Sequence, residues 1–152
     1  INNNNNKIQP LCVDHCHETD KVRGMLCTKC NKCLGLFSDY PLRCYSAAEY
    51  IEWHKSNSEN APLALPHNAL RRGLDKATFD VMHKKQEGCC AICLEPHRCR
   101  KTGLPKPLGV DHCHSSLKIR GLLCFCCNTG LGLALDSPDI LRSMGDYLSK
   151  FD

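Results

Sequence analysis

The sequence lacks the hydrophobic segment with which secreted and membrane-anchored chains open. Its first ten residues, INNNNNKIQP, are polar, and they predict neither a signal peptide nor a membrane anchor. Because disulfide-linked folds are typical of secreted proteins, the absence of a secretory segment in this sequence disfavours such a fold. We therefore expect a chain with no membrane partner.

A strong excess of one charge is also missing. The formal net charge is +4 and the isoelectric point is near 8.4, a mild excess that fits an anionic partner without requiring one. Basic residues are concentrated in one loop, residues 97–107, where Arg98, Arg100 and Lys101 could reach phosphates. A loop that is merely solvated fits this composition equally well.

The chain is also too short to bury the cores of two ordinary domains, because it has only 152 residues. Its 14 cysteines supply the missing stabilisation in one of two ways, as a disulfide scaffold or as metal ligands. The cysteines fall in CxxC pairs close to histidines. This spacing favours metal binding.

One segment of the sequence occurs twice. VDHCHETDKVRGMLCTKCN, residues 13–31, returns 97 positions later as VDHCHSSLKIRGLLCFCCN. When residues 13–55 are aligned with residues 110–152, 19 of the 43 pairs are identical, which indicates duplication of one supersecondary unit. We divide the chain into a first repeat at residues 1–55, a linker at residues 56–72 and a second, complete repeat at residues 73–152.

Helix signals surround the duplicated segment. Ser137, followed by proline, predicts a helix start, and apolar residues recur after it at helical spacing. The equivalent tail of the first repeat, residues 41–55, contains a capping-box pattern at residues 46–49, which allows the helix to break there. Another helix is predicted from near Asp75 to near Gly88.

Two CxxC pairs in the second repeat predict a structural zinc site. Zinc in such sites takes four thiolate or imidazole ligands in a tetrahedron, and a CxxC turn presents two sulfurs to one ion. Cys89 and Cys126 lie beside these pairs and are competing ligands. The predicted ligands are Cys90, Cys93, Cys124 and Cys127.

The first repeat has only the downstream pair, Cys27 and Cys30. Its upstream pair either lies in a segment outside this sequence or is replaced by Cys12, Cys33 or Cys44. The spacing leaves these alternatives open.

The duplicated segment also carries an acid, a histidine and an asparagine. Asp111 and Asn128 offer oxygen ligands that suit a hard ion such as Mg²⁺ or Mn²⁺. His112 directly follows the acid, so a bend or bulge is needed to bring both side chains to one phosphate. A neutral imidazole is a natural base toward water near neutral pH, and the convergence of these residues beside a zinc turn favours catalysis.

At these residues the sequence resembles the ββα-metal or His-Me finger nucleases (HNH-like), in the branch of recombination endonuclease VII. The resemblance covers about residues 74–152, and residues 11–55 match its second half. The matching motifs are QEGCCAIC at residues 86–93, DHCH at residues 111–114, KIRGLLC at residues 118–124, CN at residues 127–128, LG at residues 131–132 and YL at residues 147–148.

The resemblance implies an α+β fold of tandem, zinc-stapled ββα-metal repeats, built from short antiparallel hairpins and helices. It implies that Asp111 and Asn128 hold a catalytic Mg²⁺ or Mn²⁺, that His112 is the general base, and that zinc is structural. In the first repeat, Cys27 and Cys30 would bind zinc. A possible second catalytic site there would consist of Asp14, His15 and Asn31.

The function expected from this resemblance is that of a Mg²⁺-dependent endodeoxyribonuclease. Tandem zinc repeats resemble a small restriction endonuclease of this class, so we expect sequence-specific cleavage of double-stranded DNA by a homodimer in the cytoplasm of a bacterial or phage-infected cell. The alternatives are a phage-type enzyme that resolves or nicks branched DNA, and a zinc-finger-like module that binds DNA without cutting. Lys118 and Arg120 would contact phosphates, although a salt-bridged framework role suits Arg120 nearly as well.

Overall fold

A computed structural model describes residues 9–57 and 74–151. The linker expected at residues 56–72 lies almost entirely outside these ranges. In the first repeat, strands β1 and β2 are followed by helices α1 and α2. Their bounds are Cys12–His15, Val22–Leu26, Thr28–Leu36 and Pro41–Ser56.

The second repeat has the same order of elements, preceded by one additional helix, α3, at Lys76–Lys85. The strands β3 and β4 and the helices α4 and α5 then span Gly109–His112, Ile119–Leu123, Phe125–Leu133 and Pro138–Leu148. The described ranges therefore form an α+β fold with two small antiparallel hairpins, which confirms the predicted fold class. No helix in them is long and apolar enough to cross a membrane.

The two hairpins have the same register. In the second repeat, Gly109 pairs with Leu123 and Asp111 with Gly121, and the register then shifts between Asp111 and His112. The first hairpin shifts at the equivalent step, between Asp14 and His15. The bulge that the Asp-His sequence required is therefore present in both copies.

Local capping explains where the helices begin. The Ser137 hydroxyl accepts a hydrogen bond from the Ile140 amide at 3.4 Å, and the following proline opens α5, as predicted. Asp75 caps α3 in the same manner. The helix α2 runs unbroken through residues 46–49, because its alanines are buried there and continued packing outweighs the internal capping signal.

The two repeats share one hydrophobic core. Helix α1 packs on its counterpart α4, and α2 packs on its counterpart α5. The buried Phe37 ring lies against Gly130, and the Cys33 thiol donates a hydrogen bond to the Gly130 carbonyl at 3.3 Å. An ion pair between Arg142 and Glu52 joins α5 to α2. Each of these helices contacts the equivalent helix of the other repeat. Such self-complementary contacts are those of the two subunits in a twofold dimer.

Candidate active site and metal centre

The four cysteines predicted to bind zinc come together in the second repeat. All four sulfur atoms lie within 4.8 Å of one another, and the Sγ atoms of Cys93 and Cys124 are 4.0 Å apart. Hydrogen bonds among the four thiols lower the pKa of Cys90 and Cys93 and raise the pKa of Cys124 and Cys127. The donor set fits a closed four-thiolate zinc site. Cys89 and Cys126 do not belong to it.

The zinc turn also starts helix α4. The Cys124 sulfur accepts a hydrogen bond from the Cys127 amide at 3.4 Å, so Cys124 is the N-cap of the helix as well as a member of the four-cysteine cluster. Asn128 directly follows Cys127, and its backbone amide donates a hydrogen bond to the Cys124 carbonyl at 3.0 Å. A zinc ion here would therefore fix the first turn of the helix that carries Asn128.

In the first repeat, Cys27 and Cys30 form the equivalent turn, with the Cys30 amide donating to the Cys27 sulfur at 3.4 Å. No third histidine, cysteine or acidic ligand joins them in the part of the chain that the structure describes. Cys33 and Cys44 are buried in the core, where burial raises the pKa of each to about 12. Cys12 bonds weakly to Thr28. None of the three substitutes completes the site.

Asp111 is almost fully buried, with 2% of its surface exposed. Its carboxylate accepts two hydrogen bonds from Arg120, from Nε to Oδ2 and from Nη2 to Oδ1, each at 2.7 Å. The Tyr50 hydroxyl donates to Oδ2 at 2.9 Å. Because Tyr50 belongs to α2, the first repeat supplies a partner to the acid of the second.

Arg120 holds a second acid in this network. Its Nη2 lies 3.3 Å from Asp136 Oδ1, and Asp136 Oδ2 lies 2.7 Å from His114 Nδ1. Burial, the largest influence, would lower the pKa of Arg120, but the two acids outweigh it and raise that pKa. The side chain is only 5% exposed. A guanidinium held by two acids has little free surface, although Arg120 also lines the cavity described below. The framework role suits this geometry, and the phosphate contact stays a prediction.

His112 stands at the bulge, half-buried, with its ring centroid 5.3 Å from that of His114. Burial and then the nearby His114 lower the pKa of His112 below its ordinary value. The imidazole is therefore neutral near pH 7. In that form it can accept a proton.

Asn128 lies on the acid's side of the hairpin. An added Cβ on Gly109 would meet the Asn128 side-chain nitrogen at 3.4 Å. Gly109 and Asp111 are two residues apart in a regular stretch of β3, so they share one face of the strand. Glycine at position 109 leaves the space that the Asn128 amide occupies.

These residues fit a hard divalent ion in their donor chemistry. Asp111 accepts two hydrogen bonds on Oδ2 and one on Oδ1, and a carboxylate has about four acceptor positions, so one position on Oδ1 is left. Asn128 adds an amide oxygen. Mg²⁺ commonly takes one or two protein carboxylates and completes its shell with water and phosphate.

The first repeat reproduces the network around its own acid. Asp14 is buried and accepts hydrogen bonds from Arg23 Nε at 2.7 Å and Nη2 at 2.8 Å. The Tyr147 hydroxyl, from the second repeat, donates to Asp14 at 2.8 Å. Burial, the largest influence, would raise the pKa of Asp14, but these hydrogen bonds lower it. His15 is exposed and stands at the bulge, as His112 does.

A cavity of about 710 Å³ opens next to Arg120 and Asp136, between α2 of the first repeat and the β3–β4 loop. Asp111, His112 and Asn128 do not line it. Lys118 lines this cavity, and the exposed His114 faces it as well. His54 and Lys55 line the opposite wall, and no motif in the sequence singles them out. The lining does not include Arg98, Arg100 or Lys101, which are exposed on their own loop.

Two members of the buried network around Asp111 are absent from the residues predicted from the sequence, namely Tyr50 and Asp136. Both carry a signal, because each is identical in the two repeats, as Tyr50 with Tyr147 and as Asp39 with Asp136. Aromatic residues on a helix ordinarily indicate core packing, so the sequence pattern alone does not single out the tyrosines. Their hydroxyl contacts cross between the repeats, and such contacts depend on helix packing that sequence spacing does not encode.

Comparison with known proteins agrees with these features. The sequence matches the family described as recombination endonuclease VII over residues 2–53 and 67–150. It is 38% identical over 79 residues to the Gene 59 protein of Mycobacterium phage D29, a match that covers 51% of this chain and 45% of that protein. No solved structure matches. Because the family match spans most of the sequence, the chain belongs to the recombination endonuclease VII family.

Proposed function

We propose that this protein is a metal-dependent DNA endonuclease that hydrolyses phosphodiester bonds. The observation that carries the proposal is the buried Asp111 carboxylate beside a bulge at the half-buried His112, with Asn128 on the same side of the hairpin. The lowered pKa of His112 favours its neutral form. A module that only binds DNA needs a basic surface but no buried acid next to a base. Membership of an endonuclease family supports the same conclusion.

His112 is the general base in this proposal. It takes a proton from a water molecule, whose oxygen attacks the phosphorus in line. The bond from phosphorus to the 3′ oxygen breaks, and that oxygen leaves and takes up a proton from solvent. Asp111 and Asn128 would hold a divalent ion, and that ion, when bound, would supply positive charge against the charge that develops on the phosphate oxygens. Arg120 and Tyr50 fix the orientation of the Asp111 carboxylate. The four-thiolate zinc site keeps the helix start rigid, and with it Asn128.

The cavity supports a nucleic-acid substrate. Lys55 and Lys118 stand on its two walls, and His54 and His114 lie beside them, so a backbone phosphate that enters it meets positive charge from both repeats. The family, described as recombination endonuclease VII, favours the branched-DNA candidate, since recombination proceeds through branched DNA. The tandem repeats favour sequence-specific duplex cleavage of restriction type, which is the first expectation from the sequence and becomes the second candidate beside the family match.

A single incubation series tests the function and separates the candidates. Supercoiled plasmid, a synthetic four-way junction and a linear duplex are each incubated with the purified protein in Mg²⁺, Mn²⁺ or EDTA. We expect cutting with either ion and none with EDTA. Preferred cutting of the junction supports the branched-DNA candidate, whereas discrete duplex fragments support the restriction candidate. Salt-sensitive binding with no cutting under any condition would leave only the non-catalytic module.

A further inference from the structure

The last turn of α2 carries an exposed tryptophan next to the cavity between α2 and the β3–β4 loop. Trp53 is the single tryptophan of the chain, and it is 60% exposed. Its ring lies edge-on to the ring of His54, with centroids 4.7 Å apart, and His54 in turn lies edge-on to Tyr50 at 4.6 Å. Because the Tyr50 hydroxyl binds the buried Asp111 carboxylate, this row of rings runs from the acid out to the surface.

The same turn contributes side chains to the cavity. His54 and Lys55 lie on the α2 wall, and Lys118 lies on the wall formed by the β3–β4 loop. Lys55 is exposed, so its ammonium group can meet an anion that enters from solvent. His114 also lines the cavity, and its ring centroid is 5.3 Å from that of His112. A phosphate bound in the cavity would therefore be a neighbour of the phosphate that His112 serves.

The positions that correspond to this turn and cavity in the other repeat lack the same chemistry. Aligning the repeats pairs different residues at four of these positions: Lys150 with Trp53, Phe151 with His54, Asp152 with Lys55 and, in the β1–β2 loop, Glu18 with Ser115. The cavity has two lysines and one arginine against one aspartate, whereas the equivalent positions hold one lysine and one arginine against two aspartates and one glutamate. A backbone phosphate is therefore attracted at the second site and repelled at the first.

We propose that the last turn of α2 is a DNA-binding element of the second site, in which Lys55 pairs with a backbone phosphate in the cavity and Trp53 stacks on a base of the same strand. This inference rests on the proposed nuclease function. Stacking on an aromatic ring accepts any base, because every base has a π-face. The stacked base must leave the stack of its own duplex, which costs least where that base is already unpaired. The element therefore favours DNA with unpaired bases, such as a branch point, over a continuous duplex.

The fluorescence of Trp53 tests the stacking directly, because no other tryptophan contributes to the emission. The zinc-loaded full-length protein is titrated with a synthetic four-way junction or a linear duplex, without added Mg²⁺ or Mn²⁺, so that binding is observed without cleavage. We expect the junction to quench the emission in step with binding measured by gel shift. The linear duplex should quench it less.

Substitutions at Trp53 separate stacking from a structural effect. Trp53→Ala should weaken binding of the junction about 5- to 100-fold, which corresponds to the loss of one stacked base. Trp53→Phe should restore most of the affinity, because the phenyl ring can still stack. Tyr40→Ala is the matched control, since Tyr40 is 51% exposed at the opposite end of α2, and it should leave binding unchanged.

A charge substitution tests the phosphate contact. Lys55→Met should lower the slope of log affinity against log salt concentration by about 0.9, because one phosphate is no longer neutralised by the protein. Lys150→Met removes the same charge just after α5, at the position that aligns with Trp53. This control should leave the slope unchanged.

Two results would overturn the proposal. Unchanged Trp53 emission at junction concentrations that saturate the protein would rule out stacking, and an equal fall of the salt slope in Lys55→Met and Lys150→Met would rule out a phosphate contact specific to the second site. Quenching by a junction that the protein does not cut in Mg²⁺ would count against the nuclease function and support this element. Cutting without quenching would do the reverse.

Discussion

The tyrosines Tyr50 and Tyr147 each donate a hydrogen bond to the acid of the repeat to which they do not belong. Tyr50 is largely buried, and burial followed by the Asp111 charge raises its pKa, so the hydroxyl stays protonated and remains a donor. A neutral donor to a carboxylate steadies that charge and limits its rotation. The acid at each site is therefore oriented by both repeats.

Removing either tyrosine hydroxyl should affect the site of the other repeat, because each hydroxyl contacts the acid of that repeat. We expect Tyr50→Phe to reduce cleavage that depends on the second repeat about tenfold, because a hydrogen bond to a charged group contributes about 1.5–3 kcal/mol. Tyr147→Phe should leave that cleavage nearly unchanged. Plasmid cutting over a Mg²⁺ titration measures both variants. If Tyr147→Phe proves the more damaging change, the crossed assignment is wrong.

At the scale of helices and turns, two glycines of α4 offer a matched test of the contact between repeats. A Cβ on Gly130 would lie 2.8 Å from the Phe37 ring of the first repeat, whereas nothing lies within 4 Å of a Cβ on Gly132. Alanine favours a helix over glycine by about 1 kcal/mol at either position. The two substitutions differ mainly in whether they disturb the contact between α1 and α4.

We expect Gly130→Ala to destabilise the protein by about 1–3 kcal/mol, because Phe37 is fully buried and cannot move aside freely. Gly132→Ala should be neutral or stabilise it by up to about 1 kcal/mol. Chemical denaturation followed by circular dichroism measures both. Equal stability of the two variants would contradict the close packing of α1 on α4.

Zinc removal acts on the turn that joins β4 to α4. Structural zinc sites contribute about 10–16 kcal/mol of apparent binding free energy, comparable with the whole stability of a small protein. Cys124→Ser, or a strong chelator, should therefore unfold the second repeat and loosen the core that it shares with the first. Cys27→Ser should be mild, because its turn lacks the other two thiols.

Circular dichroism and elemental analysis check this prediction together. Native-like spectra from a zinc-free Cys124→Ser protein would exclude a structural role for the ion.

The sequence predicts those elements whose determinants are local. The Asp-His step needed a bulge because adjacent residues of a strand face opposite sides, and both hairpins contain it. The zinc ligands followed from two CxxC turns, and the start of α5 followed from Ser137 and its proline. The continuity of α2 did not follow, because burial of Ala47 and Ala48 against the other repeat decides it. The framework role of Arg120 likewise depends on contacts that only the fold creates.

At the scale of the whole molecule, the chain contains two similar acid networks in one core. This arrangement offers two ways to cut both strands of a duplex. One is a homodimer in which only the second repeat cuts, which remains our prediction because that repeat has the complete thiol set. The other is a monomer with both sites active.

Two histidine variants separate these possibilities. We expect His112→Ala to reduce cleavage by about 10²–10⁴-fold, as is typical for loss of a general base, and His15→Ala to have a mild effect. Supercoiled plasmid is cut with each variant, and sedimentation gives the oligomeric state. A His15→Ala protein that only nicks and sediments as a monomer would establish the two-site chain instead.

The shared core has a practical consequence for how the gene can be divided. Each half alone would expose the apolar surfaces that α1 and α2 bury against α4 and α5, so residues 1–57 and residues 74–152 should each be poorly soluble when expressed separately. When both fragments are expressed in the same cell, they should assemble and co-purify, because the packing between their helices does not require a covalent link. The protein would then act as a split pair whose activity reports that two fragments have met inside a cell.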